Sequence, residues 1–369
     1  MDADRFAAYW GKNTPRMHIP GFTHPVRDFL LEDVLSITGY IPPKNGKKKK
    51  ANKGKWNGGG RKKSAWDDSE KSDDENESKV EIEKQSKSMS QDTPFTPPLP
   101  LEELLKRVNE AEIDYDLLSI LVGRLVGTKE KDDDGSVLVF LPGAPEIARA
   151  QESILKITKG EKMLILPLHG GLQPKDQQKI FQSARKGTTK VILSTNVAET
   201  SITIPDCTIV VDTCREKQSS YDPINRMPLL IERFASRDSL KQRRGRAGRV
   251  RPGSCYKLIS QNTFRKLPEH GEPEIKRCAL DQTLLSLLYL GVEEGSGTFL
   301  STLLDPPSQN SINAAIYSLD KLGAIIRSPV RDGNSLSLSP LGIHLAGIPA
   351  PPTVGKCKLL FAMIVLIPN

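Results

Sequence analysis

Residues 242–249 read QRRGRAGR, and no other stretch of the 369-residue chain concentrates as much capacity for anion chemistry. On an α-helix Gln242, Arg246 and Arg249 stand at i, i+4 and i+7, so two guanidinium groups and one carboxamide share a face. Arg243, Arg244 and Arg251 add to the local positive charge. Like charges at neighbouring helical positions repel by about a few tenths of a kcal/mol per pair, and each interior glycine costs roughly 1 kcal/mol relative to alanine. Stability does not select such a segment. A phosphate does, because forked guanidiniums suit bidentate contact with it. Gly245 and Gly248 lack side chains and let another surface approach closely. The competing readings are a solvated basic face and a nuclear-import patch.

Other strings upstream have the residue types of a ligand rim. STNVAETSITIPD, residues 194–206, sets Ser194, Thr195, Asn196, Thr200, Ser201 and Thr203 between two apolar runs, too polar and too close to the second run for an ordinary solvent turn. LHGGL at 168–172 puts two glycines at a strand end, where backbone meets either a ligand or nothing but a turn. FLPG at 140–143 ends a strand and opens a helix, a place where amides can face an anion. Phe181, in KIF, reads from its pattern as a core aromatic.

Short β-branched runs at 137–141, 163–166, 191–193, 208–211 and 255–259 alternate with amphipathic segments at 145–157 and 173–185, preceded by apolar residues at helical spacing over 101–126. That alternation predicts an α/β fold, a parallel sheet with helices on both faces, and ligands on such sheets sit at the carboxyl ends of the strands. Residues 220–234 read as a hairpin turning at Asn225-Arg226, and Ser236 and Ser239 are placed to cap the arginine segment. Beyond about 270, helical patterns at 280–290 and 312–322 lead into a small hairpin turning at Asp332-Gly333-Asn334, and the apolar run 359–367 reads as a buried helix. Residues 44–99 hold a lysine- and glycine-rich block followed by an acidic one and lack the apolar residues needed to pack, so they are expected to be a disordered insert. KKKK at 47–50 reads as a solvated charge run, with an import signal or an RNA-contacting tail as alternatives.

A formal net charge of +8 favours a polyanionic partner. Five scattered cysteines without C-x-x-C pairs predict neither a disulfide framework nor a zinc site and point to an intracellular compartment, cytoplasmic or nuclear. No run is long enough to span a bilayer, so no membrane partner is expected.

QRRGRAGR and STNVAETSITIPD together, in this order, resemble motifs of the DEAH/RHA-type (DExH-box) superfamily 2 RNA helicases. The resemblance covers roughly residues 100–350 plus a short N-terminal piece. It implies an ATP-dependent RNA helicase whose second RecA-like lobe spans 100–270, followed by a winged helix at 271–343 and the start of a helical bundle at 344–369. Residues 1–43 are expected to be a remnant of the first lobe. Arg246 and Arg249 would be arginine fingers on the γ-phosphate of ATP, and Gln242 would place the attacking water. Phe181 would stack on the adenine, with Ser201 and Thr203 near the nucleotide. Gly170, Thr195 and Asn196 would touch the RNA backbone, and the 220–234 hairpin would help separate duplex strands. The resembled helicases often carry an acidic residue directly after the position of Ile204, whereas here Pro205 intervenes before Asp206, which weakens a ribose contact. No G-x-x-x-x-G-K-[ST] phosphate loop and no DEAH box occur in the sequence, so the magnesium ligands are expected in a missing first lobe and the chain alone is expected to be inactive. Two alternatives stay open: a non-catalytic RNA-binding or regulatory module, and a DNA-translocating relative, because backbone contacts discriminate poorly between nucleic acids.

Overall fold

The computed structural model describes residues 3–11, 13–17, 19, 23–43, 99–129, 134–158, 163–200, 202–292, 296–327 and 336–366. Alternation with a period of two builds its sheet. In Ser136–Phe140 (β2) Val137 and Val139 face one side, Leu138 and Phe140 the other, and all five residues are buried. Burial on both faces is what a parallel strand between two layers requires. With Val26–Phe29 (β1), Met163–Leu168 (β3), Thr189–Ser194 (β4), Cys207–Asp212 (β5) and Gly253–Lys257 (β8), it forms a six-stranded parallel sheet in the order β1-β8-β5-β2-β4-β3.

Helices Leu31–Thr38, Leu101–Arg107, Tyr115–Gly127 and Ala144–Thr158 cover one face, packing Leu35, Leu104, Leu121 and Ala150 over Val137, Val139, Val191 and Val211. Short pieces cover the other, where Ile180, Ala198, Ile204 and Ala247 meet Leu138, Phe140, Ile192, Val210 and Cys255. The expected layering therefore forms, and its second face is the one that carries loops.

Several boundaries differ from expectation, each for a local reason. The helical pattern over 101–126 breaks in two because the Asp114 carboxylate accepts the amides of Asp116 (3.1 Å) and Leu117 (3.0 Å) and starts a new helix. The segment 173–185 is helical only over Pro174–Gln178 with a 3-10 turn at Lys179–Phe181. Buried Lys190 donates to the carbonyls of Ile180 (2.7 Å) and Gln182 (3.1 Å), which removes them as acceptors for a longer helix. Residues 26–38 take part in this sheet's layers: β1 pairs with β8, and Leu31, Val34 and Leu35 are buried in its core. The insert at 44–98 and the turn at 332–334 lie outside the described residues, while Leu99 packs against the core.

Arg215–Asp222 (β6) and Met227–Phe234 (β7) form the expected antiparallel hairpin. Asp222 ties its turn by accepting the Ile224 amide (2.9 Å) and Asn225 Nδ2 (2.7 Å). A second unit has its own core. Helices Asp281–Tyr289, Gln309–Leu322 and Pro340–Ala346 bury Leu284, Leu285, Ile312, Leu319 and Leu345 against the small hairpin Ile325–Arg327 (β9) and Leu336–Leu338 (β10). The apolar C-terminal segment forms the helix Pro352–Leu366, yet Leu360 and Phe361 are exposed, so the expected burial is not met there. Among the described residues no helix is long and apolar enough to cross a membrane.

Gly253 tests the join between β8 and β5. A Cβ on it would lie 2.4 Å from the carbonyl oxygens of both Ala247 and Thr208, which are backbone atoms. Gly253→Ala is expected to cost about 1–3 kcal/mol by forcing those strands apart. Thermal unfolding followed by circular dichroism checks this, and an unchanged Tm would contradict the packing.

Candidate functional site

The carboxyl ends of the central strands are level. Leu168 pairs with Ser194, Ser194 with Phe140, Phe140 with Asp212, and Asp212 with Lys257. Backbone bonds extend this register into the turns: the Thr195 amide donates to Leu168 O (3.0 Å), Leu141 to Ser194 O (2.8 Å) and Thr213 to Phe140 O (3.3 Å). The LHGGL turn and the start of the STNVAETSITIPD loop therefore leave from one rim. Gly170 is exposed there, and a Cβ on it would meet nothing closer than Val197 Cγ2 at 4.0 Å. Thr195 is half-buried and Asn196 exposed, just before the single helical turn Val197–Thr200. Thr203 is exposed, and Ser201 lies outside the described residues. Phe181 is one element away, 48 % exposed, and its neighbour Ile180 fills the core instead.

Ser236 caps the arginine helix by accepting the Ser239 amide at 3.3 Å. That helix spans only Arg237–Arg244, so the continuous stripe of Gln242, Arg246 and Arg249 does not form. The backbone tightens after Gly245: the amides of Arg246, Ala247 and Gly248 donate three residues back, to Arg243 O (3.0 Å), Arg244 O (3.1 Å) and Gly245 O (3.4 Å). The Gly248 carbonyl accepts the His24 amide at 2.9 Å, while Arg244 holds Asp28 and the Val26 carbonyl. A Cβ on Gly248 would sit 2.6 Å from His24 O, so the surface that this glycine admits is the chain's own segment at 24–26.

The two outer arginines converge all the same. Arg246, 7 % exposed, donates Nη1 to Ile202 O (3.1 Å) and Nη2 to Glu199 O. Arg249 donates Nη1 to Thr203 Oγ1 (2.9 Å) from an exposed position, and Gln242 is exposed on the last helical turn. Burial, and then the charge of Arg249, lower the Arg246 pKa. Sequence reasoning missed Arg243, the buried member of the set. Its guanidinium, 1 % exposed, binds Glu199 Oε2 (2.9 Å), Asp212 Oδ1 (3.1 Å), Glu216 Oε2 (3.4 Å) and the Arg215 carbonyl (3.3 Å), and lies 5.2 Å from the centre of the Phe140 ring. Burial works to lower its pKa, but Asp212, Glu199 and Glu216 hold it above the ordinary arginine value. Burial in turn raises Asp212 and Glu216 against the pull of Arg243. The available signal was charge balance, since a cluster of neighbouring arginines needs carboxylates, and Glu199, Asp212 and Glu216 lie in the preceding strands and loops.

Asp206 is spent elsewhere. It pairs with Lys190 at 2.7 Å and accepts Ser136 Oγ at 3.1 Å at the amino end of the strands, away from the rim. The FLPG turn likewise faces its own pair, Lys217 and Glu146 at 2.6 Å, over Gly143. Among the described residues no group of three or more His, Cys, Asp or Glu could hold a metal ion.

A helicase conserved C-terminal domain matches residues 116–251. Over 98% of its length the chain is 32% identical to the ATP-dependent DNA/RNA helicase DHX36 of Mus musculus and 35% identical to the DExH-box ATP-dependent RNA helicase DExH1 of Arabidopsis thaliana. It spans 34% of each, about a third of the curated relatives it matches. Among solved structures, the Escherichia coli DEAH/RHA helicase HrpB is 32% identical with a TM-score of 0.58, over 70% of this chain and 30% of that one. The parallel sheet is therefore the RecA-like one expected.

Burial separates the arginines energetically. Arg243→Ala is expected to destabilise the chain by about 3–5 kcal/mol, because it leaves buried carboxylates unpaired. Arg249→Ala on the exposed rim should stay within about 0.5 kcal/mol of wild type. Urea unfolding measures both, and equal losses would contradict the assignment.

Proposed function

We propose that the chain is a fragment of a DEAH-type superfamily 2 helicase and forms the second-lobe half of the hydrolysis site of an ATP-dependent RNA helicase. One observation carries this reading: the loop that begins at Thr195-Asn196 is the loop that Arg246 and Arg249 fasten at its far end. RNA contact and phosphate contact thus share a single short segment. In this reading Arg246 and Arg249 are the arginine fingers, and Gln242 orients the attacking water. Phe181 stacks on adenine, and Ser201 and Thr203 border the nucleotide. Gly170, Thr195 and Asn196 take the RNA backbone, where the open space at Gly170 admits it. Residues 26–38 and 100–270 make up the lobe, 271–343 a winged helix, and 344–369 the start of a helical bundle.

A facing lobe brings the phosphate loop and the groups that hold magnesium. ATP presented from that lobe puts its γ-phosphate against the arginines, which stabilise charge as it develops in phosphoryl transfer. In the structure two Arg246 donors are engaged by neutral carbonyls. An anionic acceptor binds guanidinium more strongly than a carbonyl does. The phosphate therefore draws Arg246 from Glu199 O and Ile202 O, and the loop released shifts Thr195 and Asn196 along RNA. Closure and reopening of the cleft then convert hydrolysis into movement.

Mixing the chain with a family lobe that carries a phosphate loop and an acidic box should yield ATP hydrolysis stimulated by oligouridine. Arg249→Ala, which barely touches stability, should lower kcat roughly 10³-fold, in the range of arginine-finger losses. Oligouridine binding without restored hydrolysis would support a binding module instead.

A further inference from the structure

The hairpin β6–β7 pairs with no strand outside itself among the described residues, yet one side chain bonds both it and the turn at 197–200. Arg243 reaches Glu199 on the loop side and Glu216 and the Arg215 carbonyl at the hairpin base. Between them it binds Asp212, whose Oδ1 also accepts the Cys214 amide at 2.7 Å. Cys214 has φ 58°, a left-handed conformation that costs a non-glycine residue energy, at the bend where β5 leaves the sheet for the hairpin. Asp212 Oδ2 is buried with no hydrogen-bond partner, and Arg243 is the cation paired with this carboxylate. Besides Lys217, which pairs with Glu146, and Arg215, which donates to Glu110 O, the hairpin also contacts the second unit. Arg226 lies 4.5 Å from the Tyr317 ring centre, and Arg277 donates to Ser219 O at 3.2 Å.

We propose that Arg243 is the positioning residue through which the hairpin sets the loop held by Arg246 and Arg249. The proposal rests on the helicase reading, because it assigns that loop to RNA and nucleotide contact. Its physical basis is the planar fork of one guanidinium facing three carboxylates. A fork that turns toward one acceptor must leave another, so displacement of Glu216 changes the hold on Glu199. Val197–Thr200 is a single turn with few internal bonds, and its place is set by Glu199 and by the Arg246 grip on its carbonyl. Movement of the second unit thus reaches the rim through Tyr317, the hairpin, Glu216, Arg243 and Glu199 in turn.

Amide hydrogen exchange on the whole chain tests this. Glu216→Gln alters the hairpin without touching the loop. It should quicken exchange over 197–203 about ten-fold, while β2, β4 and β5 and the Tm keep wild-type values. Arg243→Lys keeps the charge but loses the fork, and should quicken the same loop with no further gain when Glu216→Gln is added. A purely structural Arg243 would instead lower Tm and loosen the strands. Faster exchange confined to the hairpin in Glu216→Gln, or multiplying effects in the double variant, overturns the proposal. Should Arg243→Lys fail to fold, Glu216→Gln alone decides. Oligouridine binding by wild type is measured in parallel. Its absence defeats the helicase reading, while the exchange pattern still decides the coupling.

Discussion

Arg243, Arg246 and Arg249 all fasten the stretch between Glu199 and Thr203, and the architecture of the rim follows from that grip. The stretch lies at the carboxyl edge of a parallel sheet, at the end of a one-turn helix. Arg246 donates to a carbonyl in that helix, Glu199 O, and to one beyond it, Ile202 O. A neutral carbonyl holds a guanidinium well enough to order the loop, and an anion holds it better. Arg243 differs from the other two because its side-chain partners are carboxylates, the innermost of them, Asp212, fully buried.

The N-terminal segment completes the support. His24, Val26 and Asp28 bind the turn and the helix that bear the arginines, and β1 adds to the sheet beside β8. The turn is thus clamped from below while its outer side chains face the rim. Gly248 is needed for that clamp, not for a ligand.

Residue type was legible in the sequence further than geometry was. The strands β2, β4 and β5 announce themselves as short β-branched runs, and the rim residues follow from strings that end those strands. The helical stripe was an over-extension: a period of 3.6 was carried through Gly245 and Gly248 as far as Arg249, whereas the helix ends at Arg244 and residues 246–248 bond three residues back instead of four. β1 was not legible because VRDF buries only Val26, so no alternation distinguishes it from a loop. The shortened helix at 174–178 depends on Lys190, a tertiary contact no local pattern contains. Arg243 was hidden by its company, since among arginines of equal propensity only the fold decides which one is buried.

The account stands on Arg246 exchanging carbonyls for phosphate. The most direct measurement is a crystal structure of the chain with a phosphate-loop lobe of the family, ADP, magnesium and aluminium fluoride. The account predicts Arg246 and Arg249 hydrogen-bonded to the fluoride, with Glu199 O and Ile202 O released. A nucleotide analogue bound in the cleft with Arg246 still on both carbonyls would contradict it.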